Sequence, residues 1–197
     1  PLGLLFGIVS ARKKGSALDY ALVIFTVLGV CVPVFIVAAL LQYAFAIKLG
    51  WFPVAQWNGF RYSILPVLTL SIGSVATRTR SMRTLMLEVI NEDYMKTAKA
   101  KGLSKFQIVW RHQIRNAVIP MIPSLGMEIV NLLMGSFVVE QIFVIPGLGA
   151  YFVNSIQNLD YTMTLGLTVF LAVFVVSANF IIDLIYGLVD PRIRVVK

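Results

Sequence analysis

The groups in this sequence that could do chemistry are few, and several stand in apolar surroundings. Glu128 and Asn131 interrupt a hydrophobic stretch, and so do Asn179 and Asp183, which lie four apart and therefore share one face of a helix. An ionisable group at bilayer depth is expensive and is by default a functional candidate. For Glu128 two roles stay open: lining a polar path through the membrane, or pairing with an arginine or amide of a neighbouring helix. Ser71 and Ser74 fall in a run with Thr69, Gly73 and Thr77 whose small polar side chains suit either close helix packing or a water-filled path.

Other chemistries find no support in the sequence. No GxxxxGK[ST] phosphate loop occurs, so the chain has no recognisable means of hydrolysing nucleotide itself. The only histidine, His112, stands beside Arg111 with no cysteine or carboxylate cluster at metal-ligand spacing, and reads as a packing or hydrogen-bonding residue. A single cysteine, Cys31, lies inside an apolar run, which excludes an intrachain disulfide and suits a small core residue. Neither a GxSxG elbow nor a histidine-bearing triad is recognisable. The net charge of +8 suggests nucleic acid only if the basic residues form a soluble face. Here they flank apolar spans.

The elements that must position these groups follow from hydropathy. With 58% hydrophobic and 13% charged residues, and a mean hydropathy of +0.85, the chain is far more apolar than a soluble domain, of which about 25% is charged. An integral membrane protein is expected. Residues 1–10 read as the end of a span whose beginning is missing, 20–47 as a span kinked at Pro33, 63–89 as a span continuing past the membrane, 117–140 as a third and 162–189 as a fourth. Residues 141–161, with Pro146, Gly147 and Gly149, read as an external loop with a re-entrant or surface helix. The fold class is all-α: a polytopic transmembrane bundle of four full spans plus the tail of a preceding one.

The one long polar stretch, 91–115, has the local signals of a helical elbow. Asn91 can cap a first helix, Glu92 and Asp93 suit its positive dipole end, and Lys96, Lys99 and Lys101 lie toward the other. Gly102 supplies a left-handed stop, and Ser104 followed by Gln107 fits a capping box that restarts a helix. Phe106, Val109, Trp110 and Ile114 recur at three-to-four spacing and predict its apolar face. All but Lys48 and Arg61 of the 17 lysines and arginines fall on one side of this topology, so the positive-inside rule makes the elbow cytoplasmic and the loops around Trp51 and Pro146 external. A lipid-lying helix gains nothing from a glycine hinge and a second capped helix, whereas two helices held at a fixed angle can transmit a push from a partner into the spans.

The segment Tyr94 to Pro120, YMKTAKAKGLSKFQIVWRHQIRNAVIP, resembles the EAA loop of ABC importer permeases in its oligopeptide and dipeptide permease version. PGLG at Pro146–Gly149, with Glu140 and Phe143 before it, and the closing DLIYGLVDPRIR are similar to that family's external loop and C-terminal end. Thr97 stands where the general motif has glutamate, Ala98 matches its first alanine, Lys99 replaces the second and Gly102 matches its glycine. Arg115 takes the place of the motif's proline, which arrives at Pro120. The resemblance implies a plasma or inner membrane permease of a bacterium or archaeon, with six spans per subunit, truncated here at its amino terminus. It also implies a homologous second permease, two ATP-binding subunits that bind ATP and magnesium, an extracytoplasmic substrate-binding protein, and no cofactor or catalytic residue in this chain. Carried over residue by residue, ATPase coupling would fall to Tyr94, Thr97, Ala98, Lys99, Ala100, Lys101, Gly102, Leu103, Ser104 and Phe106. Sequence-tolerant contacts to peptide would come from Ser71, Ser74, Asn131 and Ser136, with Glu128 as a further candidate for the substrate path. A gated channel, a membrane scaffold without an ATPase, and an importer of nickel or another small solute remain as alternatives.

Overall fold

In the computed structural model residues 1–133 and 135–189 are described, apart from the side chains of Lys99, Lys105, Leu188 and Val189. The basic residues Arg192, Arg194 and Lys197 expected to close the chain lie outside the described residues. Every regular element among those described is a helix: α1 Leu2–Arg12, α2 Ala17–Cys31, α3 Val34–Lys48, α4 Phe60–Val89, α5 Asp93–Ala100, α6 Ile108–Leu133, α7 Phe137–Phe143, α8 Leu148–Gln157 and α9 Tyr161–Val189. Helices α4, α6 and α9 are each long and apolar enough to cross a membrane; α2 with α3, and α7 with α8, reach that length only as broken pairs.

Two boundaries differ from the sequence expectation, and each has a local cause. The stretch 20–47 is not one continuous helix. Pro33 is extended (φ −57°, ψ 141°) and the residue before a proline is disfavoured in the helical region, so the helix stops at Cys31 and starts again at Val34. The span expected over 117–140 ends at Leu133, because Gly135 turns left-handed (φ +80°) and the Ser136 hydroxyl caps α7 by accepting the Val139 N–H. A cap is thus the role the structure gives Ser136.

The chain forms two compact units, and α4 and α6 each run from one into the other. The first contains residues Pro1–Cys31 and Ile72–Ile122. In it α1 lies against α4 along a face of small residues, Gly3, Gly7 and Ala11, spaced by four. A Cβ at Gly7 would fall 2.5 Å from Met82 Cβ and 2.7 Å from the Thr79 carbonyl oxygen, and one at Gly3 would fall 2.7 Å from Arg78 Cβ. Only glycine lets the backbones approach so closely. Helix α2 uses Gly29 in the same way against Ala76.

These contacts frame a buried ion pair. Asp19 opens α2 and is 2% exposed. Its carboxylate accepts Nε of Arg83 at 2.8 Å and Nη2 at 3.0 Å, the Gly15 N–H at 2.9 Å, and the Ser10 hydroxyl. Four donors on two oxygens satisfy the carboxylate, and they join α1, the turn after it, α2 and α4 at one point.

The second unit contains Val32–Ser71 and the chain from Pro123 onward. Ala38 and Ala46 of α3, Leu65 of α4, and Val139 and Phe143 of α7 form its core, edged by Phe45, Phe52, Leu70 and Ile145. The Gln42 amide donates to the carbonyls of Val54 and Ile142, which secures the loop after α3. Gly126 lets α6 pack against Ile182 of α9. The outer surface of α9 carries Leu165, Val169, Val173, Val176 and Phe180, all exposed; an apolar face of that length belongs in lipid or against another membrane helix.

Replacing Gly7 by valine should force α1 off α4, costing about 1–3 kcal/mol from overpacking. Asp19→Asn leaves the Arg83 charge without its partner. Loss of one member of a buried pair costs about 3–5 kcal/mol; the lower end is expected here, because the Arg83 side chain keeps 26% exposure. Both variants should lower the thermal unfolding midpoint of the detergent-purified protein, and an Asp19→Asn variant melting with the wild type would show that this carboxylate does not hold the helices together.

Candidate functional site

The elbow is built from three local closures. Helix α5 ends with Gly102 at φ +72°, a region that a β-branched side chain enters only with strain. Around that turn the Leu103 N–H donates to the Ala98 carbonyl at 3.4 Å, the six-to-one bond of a Schellman stop, and the Lys101 N–H makes an ordinary helical bond to the Thr97 carbonyl at 3.0 Å. The chain restarts through the turn Lys105–Gln107, where the Gln107 N–H donates to Ser104 Oγ at 3.3 Å and the Ser104 N–H donates to Gln107 Oε1 at 3.0 Å. That is the reciprocal capping box the spacing predicts. Asn91 does something else: its amide donates to the Leu87 carbonyl at 3.3 Å and so finishes α4 rather than starting α5.

A small core fixes the angle between the two arms. Met95 and Ala98 of α5 and Ile108 of α6 are buried together, with Val89 from the end of α4 and Leu103 from the turn packed around them. One side-chain bond ties the second arm to the span: Gln113, 2% exposed, donates its amide to the Met86 carbonyl at 2.9 Å. The residue reaches that carbonyl because α6 begins with a wide π turn, Ile108–Ile114, which rotates the side chains relative to an α-helix. The apolar face given by the spacing, Phe106, Val109, Trp110 and Ile114, is not the one that closes the elbow's own core. Ile108 and Gln113 are buried, while Phe106 (68% exposed) and Trp110 (54%) project outward with ring centroids 5.9 Å apart.

The candidate coupling residues therefore divide into two sets. Ala98 and Leu103 hold the elbow together from within, and Ser104 and Gly102 shape its turn. Tyr94, Thr97, Ala100, Lys101 and Phe106 stand on its exposed surface, with Trp110 beside them. The Lys99 side chain lies outside the described residues. The exposed Lys96–Asp93 pair at 2.7 Å, one turn apart, adds little stability.

The substrate-path candidates are not gathered in the same way. Ser71 and Ser74 are half-buried on α4, Glu128 is half-buried and Asn131 exposed on α6, and Ser136 caps α7. None of the five lines either of two cavities, of about 280 and 180 Å³. The larger cavity belongs to the α7–α8 hairpin, whose arms bend by 88° around Val144–Gly147. Glu140, 9% exposed, holds this bend: its carboxylate accepts the Ala150 N–H at 3.1 Å at the start of α8, and a Cβ at Gly135, Gly147 or Gly149 would run into its oxygens. Glu140 and the PGLG glycines thus act as one device. Sequence reading placed them together by resemblance but gave Glu140 no role.

Residues 3–195 match the model of the family described as binding-protein-dependent transport system inner membrane component. The chain is 46% identical over 195 residues to the dipeptide transport system permease protein DppB of Bacillus subtilis, covering 99% of this chain and 63% of that protein. It is 43% identical to the oligopeptide transport system permease protein OppB of Haemophilus influenzae (98% of this chain, 64% of that protein) and 37% identical to the OppB of Escherichia coli, with the same coverage. The chain thus spans less than two thirds of the length of these relatives. With a matching family model over nearly its whole length, an all-helical fold and membrane-length helices, it belongs to the family of binding-protein-dependent transport system inner membrane components.

Proposed function

We propose that this chain is the membrane-spanning permease subunit of an ATP-driven peptide importer. It forms half of a translocation path with a homologous second permease, is served from outside by a substrate-binding protein, and rests on two ATP-binding subunits that hold the ATP and magnesium. Residues 91–115 face the cytoplasm in this reading, following the basic residues that surround them. Peptide as cargo is supported by relatives that are themselves named dipeptide and oligopeptide permeases.

The observation that carries the coupling role is the construction of the elbow. Two short helices are fixed by the stop at Gly102 and the capping box at Ser104, share a core of Met95, Ala98 and Ile108, and leave Phe106 and Trp110 exposed for a partner. Closure of the ATP-binding subunits on nucleotide displaces this piece as a unit. Val89 in its core passes the displacement to α4, and the Gln113–Met86 bond keeps α4 and α6 in step. The spans then alternate between outward and inward access.

Gly102 separates this mechanism from a merely structural elbow. No atom lies within 4 Å of a Cβ built there, so a substitution is felt through the backbone alone. Valine at φ +72° costs about 1–2 kcal/mol, on the order of tenfold in an equilibrium, whereas asparagine tolerates that conformation. In proteoliposomes containing the full complex, Gly102→Val should cut labelled-peptide uptake per ATP hydrolysed by on the order of tenfold while the spans stay inserted, and Gly102→Asn should stay near wild type. Wild-type coupling in Gly102→Val would remove the elbow from the mechanism. Uptake competed by nickel rather than by unlabelled peptides would reassign the cargo, and ion conductance without co-purifying ATP-binding subunits would favour a channel.

A further inference from the structure

The cavity of about 180 Å³ in the first unit lies between α2 and α4, with Ser10 of α1 at its edge, and has two unlike walls. Leu22, Val23 and Val27 of α2 make the apolar one. Arg80, Arg83 and Thr84 of α4, at i, i+3 and i+4 and hence on one helix face, make the polar one. Arg83 is immobilised by its bidentate contact with Asp19, which uses Nε and Nη2 and leaves further N–H groups unused. Arg80 is exposed, and no carboxylate among the described residues is paired with it. The hydroxyls of Thr26 and Thr79, which also border the cavity, donate to the Val23 and Val75 carbonyls; that of Thr84 has no protein partner among the described residues. Asp19, its charge balanced by Arg83, does not line the space.

The apolar wall continues outward. Val27 is 48% exposed, and Ile24 and Leu28 beside it on α2 are 59% and 57% exposed, so an exposed apolar strip begins at the cavity's edge. A ligand that satisfies both walls carries one anionic oxygen cluster and an attached alkyl chain. We propose that this cavity is the headgroup site of an anionic phospholipid, with its phosphate held by Arg80, Thr84 and the unused N–H groups of Arg83, and an acyl chain running along Val23 and Val27. The uncompensated charge is that of Arg80, which favours a headgroup of net negative charge over a zwitterionic one. The site depends on the membrane location of the chain and not on the coupling role of the elbow.

Native mass spectrometry of the full-length permease, purified with its accompanying subunits and exposed to equal phosphatidylglycerol and phosphatidylethanolamine, tests this assignment. Phosphatidylglycerol should be retained preferentially. Arg80→Gln should reduce its retention about fivefold, the effect of one basic side chain at a membrane surface, and Val27→Asn should reduce it while leaving the arginines in place. Arg61→Gln, at an exposed arginine that binds the Trp51 carbonyl, should leave it unchanged. Equal retention of the two lipids, or wild-type phosphatidylglycerol retention in both Arg80→Gln and Val27→Asn, overturns the site. Inorganic phosphate that protects the protein thermally through Arg80 without any selective lipid retention also overturns it, leaving a free-anion site instead.

Discussion

A carboxylate that meets four donors inside a membrane protein constrains everything around it. Asp19 cannot be taken from its place without leaving the guanidinium of Arg83 unpaired, and Arg83 cannot turn away without stranding a carboxylate that is 2% exposed. Because Ser10 and the Gly15 N–H contribute to the same two oxygens, the pair fixes the turn between α1 and α2 as well as the depth of α4. The glycine contacts at Gly3, Gly7 and Gly29 are what bring the backbones close enough for the side chains to meet. Small-residue packing and the ion pair are thus two halves of one joint.

That joint lies directly before the part of α4 that enters the elbow. Met86 and Val89, one and two turns beyond Arg83, are the points at which the elbow takes hold, one through its carbonyl and the other through its side chain. Helix α4 therefore has a fixed collar followed by a contact with a compact, independently closed pair of helices. In the proposed mechanism a displacement of the elbow would meet a helix that is anchored rather than free to flex, a condition for passing motion into the membrane instead of dissipating it in a loop.

The features legible in the sequence are those with local causes. Gly102, Ser104 and Gln107 act on neighbours three or four residues away, and their geometry follows from spacing alone. Pro33 is legible as an interruption, although its severity is not, because the restriction on the residue before it adds to the missing hydrogen bond. The Asp19–Arg83 pair joins residues 64 apart, and nothing in the sequence near either one specifies the other. Gln113 is hidden for a different reason: the π turn at Ile108–Ile114 changes which residues share a face, so a periodicity of 3.6 finds the exposed apolar face with Phe106 and Trp110 but not the buried Gln113. Glu140 is recognisable beside PGLG, yet its role as the pin of the α7–α8 bend depends on three glycines brought together only by folding.

The claim on which the functional reading rests is that the exposed face of the elbow is seated on an ATP-binding subunit. Site-directed cross-linking measures this directly. In the full complex, with Cys31 replaced by serine, a cysteine introduced at Lys101 or Phe106 is joined by a short bifunctional reagent to whatever protein lies against it. The account predicts a cross-link to the ATP-binding subunit whose yield changes on addition of nucleotide, and none from a cysteine placed at Trp57. No adduct from either elbow position, or adducts only to lipid or to the permease itself, would contradict it.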